Sequence, residues 1–221
     1  MKISVCSYNI HSGKNIFHRP TLQKMIRFFR RNPIDILAVQ EIHQNSKHGW
    51  QVDVCKNQLE METAFAGNVL IKDGYYGIAI FSRFPILKSE HVKLTSQKEQ
   101  RGLLHLKLKI DGSEVNVLNT HLGLGRKERM IQLNELEDLI SSDSSPTLLF
   151  GDFNSSSSLS LPPLIDLGKK AGKEELPTFF PLRKRIDFIF TSPSFQLVDY
   201  DVIPVQYSDH YPVRASLVLR Q

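Results

Sequence analysis

Between residues 103 and 110 every second side chain is aliphatic. Leu104, Leu106, Leu108 and Ile110 alternate with His105, Lys107 and Lys109. Successive side chains on a β-strand point to opposite faces, so this stretch reads as a strand with one face in a core and the other toward water. It ends at the turn dipeptide Asp111-Gly112, and residues 115–119 resume an apolar run, which makes the two a hairpin. Further strand-like runs occupy residues 3–10, 34–39, 77–81, 148–150, 186–190 and 215–219. Helical spacing separates some of them. Leu22, Met25, Ile26 and Phe29 recur three to four apart within 20–31, and Asn32-Pro33 stops that helix. Residues 126–140 read as an amphipathic helix with Met130, Leu133, Leu136, Leu139 and Ile140 inward, and 51–62 as a weaker one. Residues 168–175 read as a charged surface segment, and 155–158 as a serine-rich loop or cap with a candidate functional hydroxyl. Strands joined by both hairpins and helices predict an α/β (α+β) fold: two packed mixed sheets in a sandwich, helices on the outer faces.

A chain of 221 residues, 41% hydrophobic, suits one compact domain over residues 1–221. The net charge of +5 and pI near 9.2 permit an anionic partner such as nucleic acid or an anionic lipid surface, and fit an ordinary basic surface equally well. Cys6 and Cys55 are too few for a disulfide framework or a zinc site, and Cys6 falls in an apolar run as a small buried hydrophobe. No run approaches the ~18 apolar residues of a membrane span, and the start of the chain enters a strand directly without a signal-like segment. The expectation is a cytoplasmic protein, by default a monomer. Phosphate-loop and nucleophile-elbow patterns are absent, Gly123-Leu124-Gly125 lacks the third glycine of a dinucleotide fingerprint, and no internal repeat is visible. Ser208-Asp209-His210 are adjacent and cannot converge as a protease triad.

What remains is a series of polar residues where apolar strands end. Asn9, Glu41, His121, Asp152 with Asn154, and Asp209-His210 stand at five such ends, and Asp187 opens a sixth strand. Singly, each is explained by a turn or a helix cap. Together they supply hard oxygen donors and imidazoles at the loops where α/β proteins build sites. Glu41 is the first candidate ligand for Mg²⁺ (Mn²⁺ or Ca²⁺ as alternatives), with Asp209 and Asp152 behind it. His210 fits a general base whose tautomer Asp187 would fix. Asn9 and Asn154 can donate to phosphate or nucleophile, and His121 to phosphate. Arg183-Lys184-Arg185 could line the approach of a polyanion, while Arg27, Arg30 and Arg31 read as ordinary surface.

In this order, the motifs Ser7-Tyr8-Asn9-Ile10, Val39-Gln40-Glu41, Asn119-Thr120-His121-Leu122, Gly151-Asp152-Phe153-Asn154, Arg185-Ile186-Asp187-Phe188 and Ser208-Asp209-His210 resemble the endonuclease/exonuclease/phosphatase superfamily. That group includes pancreatic deoxyribonuclease, apurinic endonucleases, neutral sphingomyelinases and inositol-polyphosphate phosphatases. The resemblance runs nearly end to end. It implies a metal-dependent phosphate-ester hydrolase with Glu41 on the metal and Asn9 beside it, and Asp209 in the same shell. It implies that Asp152 and Asn154 position nucleophile and phosphate, that Asp187 orients the base His210, and that His121 contacts the scissile phosphate or assists the leaving oxygen. Arg101 resembles a position where relatives place a phosphate-contacting arginine. Two departures stand out. His11 occupies a position that carries an acid in some branches, and no long apolar hairpin is present. The expected activity is a phosphodiesterase acting on DNA or RNA, then on a phospholipid or sphingomyelin-type head group, then on an inositol or sugar phosphate. The rival of another class is a non-catalytic polyanion-binding protein that keeps the fold.

Overall fold

The computed structural model describes residues 1–157 and 159–220, so Ser158 of the serine-rich loop lies outside the described residues. Twelve strands form two six-stranded sheets. In the first, β1 (Lys2–Asn9) lies between β12 (Val213–Leu219) and β2 (Ile36–Gln44), followed by β4 (Gly74–Ser82) and the edge strand β3 (Glu62–Ile71); β11 (Phe195–Val202) closes the other edge. In the second, β7 (Ser113–His121) lies between β6 (Arg101–Ile110) and β8 (Thr147–Asp152), followed by β10 (Asp187–Thr191). The edges are β5 (Ile86–Leu94) and β9 (Ile165–Asp166).

The expected sandwich is present. Val5, Ile36, Ile80, Leu106, Val117 and Phe150 pack between the sheets. The alternate residues Tyr8, Val39 and Phe81 face outward onto Met25, Ile26 and Phe29 of α1 (Leu22–Arg31) and onto α2 (Gln51–Leu59). Leu118, Leu149 and Phe190 face α3 (Arg126–Ser141). Central strands covered on both faces explain the near-continuous apolar runs. Cys6 is buried as expected, and burial raises its thiol's pKa.

Several details differ from the sequence reading. On α3 the buried row is Glu128, Gln132, Leu136 and Ile140, spaced by four, and Met130 points to solvent. Gln132 is buried because its amide serves two loops, accepting from Gly123 N at 2.9 Å and donating to Thr95 O at 2.8 Å. α2 stops at Leu59, and the chain turns through left-handed Glu60 into β3. Within 168–175, a short helix α4 (Leu167–Lys170) buries Gly168.

The two sheets share one plan. In each, a parallel pair is joined through an outer helix (β1–α1–β2 and β7–α3–β8) and flanked by antiparallel neighbours. This internal repeat of topology leaves no trace in the sequence. It brings the C-terminal ends of four parallel strands to one end of the sandwich. Just beneath them Asn119 ties the sheets together: its Oδ1 accepts from Gln40 Nε2 at 2.7 Å, and its Nδ2 donates to Val39 O and Ala79 O, both at 2.9 Å.

Candidate active site

Each strand end delivers one side chain to a buried cluster. Asn9 ends β1, His121 ends β7 and Asp152 ends β8, while Asp187 starts β10 beside Asp152. Glu41 reaches the cluster through a β-bulge. The β2–β4 register slips between Gln40 and Ile42, and Glu41 takes φ 58°. A bulge re-aims the extra residue. Opposite it, Gly77 has no room for a side chain, since a Cβ there would sit 1.9 Å from Ala66 O. His11, Ser12 and Asn154 also have positive φ, so left-handed non-glycine residues gather around the site, as expected where tertiary structure holds a functional geometry.

Asn9 is the bracket of the cluster. Its Oδ1 accepts from His11 N at 3.0 Å, and its Nδ2 donates to Glu41 Oε1 and to Asp152 Oδ2, both at 3.0 Å. Its amide orientation is therefore set from both sides, with NH₂ toward the carboxylates and its oxygen toward the backbone. Asn154 donates from Nδ2 to Leu122 O at 2.9 Å, and its backbone N donates to Asp152 Oδ1 at 2.9 Å. Ser208 Oγ donates to Asn9 O at 2.8 Å and lies 3.0 Å from Asp209 Oδ1, which keeps Asp209 on the rim near His11 Nδ1 at 3.7 Å.

Two histidines converge on one oxygen. His210 Nε2 and His121 Nε2 lie 3.7 and 3.6 Å from Asp152 Oδ2. Their far nitrogens meet opposite partners. His210 Nδ1 lies 2.8 Å from Asp187 Oδ2, an acceptor, so Nδ1 carries a proton. His121 Nδ1 lies 3.0 Å from Arg101 Nη1, which can only donate, so the proton of His121 sits on Nε2 and faces the cluster. Burial, Arg101 and His210 together hold the His121 pKa well below the ordinary value, leaving a neutral donor. Burial opposes charge on His210 as well, but the Asp187 and Asp152 carboxylates outweigh it and raise its pKa. Burial, reinforced by Asp187, raises the pKa of Asp152, partly offset by His210 and by the Asn154 and Asn9 donors. Buried groups this close titrate as a unit.

Among the described residues, Asp152, Asp187 and His210 offer ligand atoms within 4.8 Å of one another, which could in principle hold a metal. His210 Nδ1 is engaged by Asp187, which leaves Nε2 as the atom it turns toward Asp152. A hard cation prefers oxygen, and the half-buried Glu41 carboxylate accepts from Asn9 on one oxygen, with the Tyr76 phenol nearby.

Of the three arginines read as phosphate-binding, Arg101 and Arg185 are engaged by protein partners, and Arg183 is exposed beside the cluster. Arg101 is buried behind His121, with Nη1 also 2.7 Å from Glu99 Oε1, so it positions His121. Arg185 pairs through both terminal nitrogens with Asp166 (Nη1 to Oδ2 at 2.9 Å) and stacks 4.2 Å over Phe188, away from the cluster. Arg183 and Lys184 are exposed on a hairpin whose Phe179 packs against His210 at 4.9 Å. Sequence reasoning missed Phe179, and it missed Thr178, whose Oγ1 accepts from Ile186 N and Asp187 N at 3.0 Å. It also missed Tyr76, whose phenol pKa is raised by burial and by the nearby Glu41 and Glu99 charges. None of the three carries a motif signal.

Known proteins share the fold. The uncharacterized protein YbhP of Escherichia coli K12 is 26% identical over 97% of this chain and 96% of its own. The D. rerio TDP2 structure complexed with a single-strand DNA product superposes with a TM-score of 0.82 at 19% identity, over 98% of this chain and 99% of that one. The mannosyl-6-phosphatase of Bacteroides thetaiotaomicron VPI-5482 superposes at 0.77 and 22% identity, over 98% and 100%. At these identities the structural likenesses establish the fold. The sequence profile of the endonuclease/exonuclease/phosphatase family matches residues 6–210, an interval that contains the whole cluster from Asn9 to His210, and the chain belongs to that family.

Proposed function

We propose that the cluster hydrolyses phosphodiesters with the help of a divalent cation, Mg²⁺ first. The observation that carries this reading is the convergence on Asp152 of two imidazoles with opposite Nδ1 partners, the Arg101 donor on His121 and the Asp187 carboxylate on His210. His210, backed by Asp187, and Asp152 form a proton-accepting unit for an attacking water, with Asp187 stabilising the imidazolium that results. His121, neutral and donating from Nε2, suits a phosphoryl or leaving oxygen. Asn9 and Asn154 hold Asp152 and Glu41 in place. A cation bound at Glu41, with Asp209 near it, would supply positive charge for the phosphate oxygens.

The family is one of phosphate-ester hydrolases, and the TDP2 complex contains a DNA strand. Together with the basic charge, this supports nucleic acid as the first substrate to assay. The test is nicking of supercoiled plasmid and hydrolysis of bis(p-nitrophenyl) phosphate by purified protein with Mg²⁺, with chelator, and by His210→Ala. Metal-dependent turnover lost in the variant is expected. Full rate in His210→Ala, or no diester turnover by folded, metal-supplied protein, would overturn the reading.

A further inference from the structure

Twelve large apolar side chains stand exposed among the described residues, and seven of them, Ile16 and the six that follow, lie on loops or strand ends at the catalytic end of the sandwich. Chance scatter over the surface would not favour one end. Phe17 (71% exposed) is on the loop after β1, Trp50 on the loop after β2, and Leu70 (66%) and Tyr75 flank the β3–β4 turn. Leu124 (77%) follows His121, and Leu182 (63%) caps the hairpin that packs on His210. The β3–β4 turn belongs to the same end because Tyr75 pairs with Gln44, just beyond Glu41.

Each apolar tip has a cation within three residues. Arg19 accompanies Phe17, Lys47 accompanies Trp50, Lys72 lies between Leu70 and Tyr75, Arg126 accompanies Leu124, and Arg183 follows Leu182. All five cations are exposed. Two rim carboxylates are already engaged: Glu99 with Arg101, and Asp73 with Ser46 N. The tips are also held outward by their own loops. Asn15 Oδ1 accepts from both Phe17 N and Arg19 N at 3.0 Å, and Arg129 Nη1 donates to Gly123 O and Leu124 O.

We propose that this end of the protein docks on an anionic lipid bilayer, presenting the active site to the membrane surface. Apolar tips ringed by Lys and Arg match the boundary between acyl chains and head groups: side chains enter the apolar layer while cations meet head-group phosphates. A nucleic-acid strand fits less well, because Leu70, Leu124 and Leu182 have no π face on which a base can stack. Docking goes beyond the phosphodiesterase reading and is measured without turnover, so either can fail alone.

Trp50 is the chain's single tryptophan and lies on the proposed surface, so its fluorescence reports docking directly. The protein is mixed with phosphatidylcholine vesicles and with phosphatidylcholine–phosphatidylglycerol vesicles, and binding is also read by co-sedimentation. The expected result is a blue shift and co-sedimentation with the anionic vesicles only, weakened by salt. The triple variant Phe17→Ser, Leu124→Ser, Leu182→Ser should bind about a hundred-fold more weakly. It should keep the wild-type melting temperature and the wild-type rate on bis(p-nitrophenyl) phosphate. The pair Leu87→Ser, Val198→Ser, exposed at the opposite end of the sandwich, should bind as wild type. Absence of binding to anionic vesicles, or equal binding by the triple variant, overturns the proposal. So does a triple variant whose only loss is affinity for a single-stranded oligonucleotide, which would assign the surface to nucleic acid.

Discussion

Acid should loosen the loop beside the active site through one buried histidine, His43. It lies on β2, two residues beyond Glu41, and is almost fully buried. Asn45 Oδ1 accepts from His48 N and faces His48 Nδ1, both at 3.1 Å, which turns the Asn45 NH₂ toward His43 Nδ1 at 3.2 Å. His43 is thereby fixed with its proton on Nε2, donating to Ser12 Oγ at 3.0 Å. Its ring stacks 3.7 Å from His48 and 4.9 Å from Tyr76. Burial, then His48, Lys14 and Lys47, lower its pKa to about 4 from an ordinary 6.5. A histidine kept neutral by folding binds its proton more readily in the unfolded chain, so its contribution is complete above pH 6.5 and is lost as pH falls toward 4. A gap of about 2.5 units at ~1.4 kcal/mol each is about 3 kcal/mol. That is a large share of a typical stability of about 5–15 kcal/mol. The assay is urea unfolding at pH 7 and pH 4.5 of the wild type and of His43→Gln, whose amide can serve both Ser12 and Asn45 without titrating. On acidification the wild type should lose about 2–3 kcal/mol more than the variant. Equal losses would refute the assignment of the acid response to His43.

Asp187→Asn removes the main charge that raises His210. The rate on a diester should fall roughly 10³- to 10⁴-fold with the fold retained, and any residual activity should reach its plateau at lower pH; an unchanged rate would show that His210 needs no carboxylate partner. Glu41→Gln should raise the Mg²⁺ concentration for half-maximal rate about ten-fold or more, read by metal titration, and an unchanged requirement would move the cation elsewhere. Arg185→Met strands Asp166, whose side chain is only 11% exposed. It should cost about 3–5 kcal/mol in urea unfolding and leave kcat intact, whereas a lost kcat at full stability would return Arg185 to the substrate.

The four strands that sequence patterning missed, β3, β5, β9 and β11, are the four sheet edges. β5 has exposed Leu87, Lys88, Ser89, Glu90 and His91 in a row, so one buried face never alternates with a polar one. β11 slips register between Leu197 and Asp199, which breaks the period. Central strands, buried on both faces, announce themselves by composition. Edge strands are half paired and follow their neighbours, so their signal lies in the partner strand. Site residues were legible for a related reason: strand ends are visible in sequence, and the fold gathers them at one end. Cation partners were not. Arg185 sits in a motif and Arg101 opens a strand, yet His121 and Glu99 claim Arg101 and Asp166 claims Arg185.

The two histidines of the cluster show most clearly where sequence stops and structure begins. His121 and His210 both sit where a strand meets the cluster, and both aim Nε2 at Asp152 Oδ2. Nothing in either motif distinguishes their charge. What does so is the group on Nδ1: a guanidinium donor 20 residues upstream of His121, and a carboxylate acceptor 23 residues upstream of His210. The donor forces one imidazole to stay neutral with its proton facing the cluster. The acceptor supports the positive form of the other. One oxygen thus faces a fixed proton donor on one side and, on the other, an imidazole whose positive form a carboxylate supports. Exchanging the Nδ1 partners would exchange the roles, while leaving the residues around the substrate unchanged.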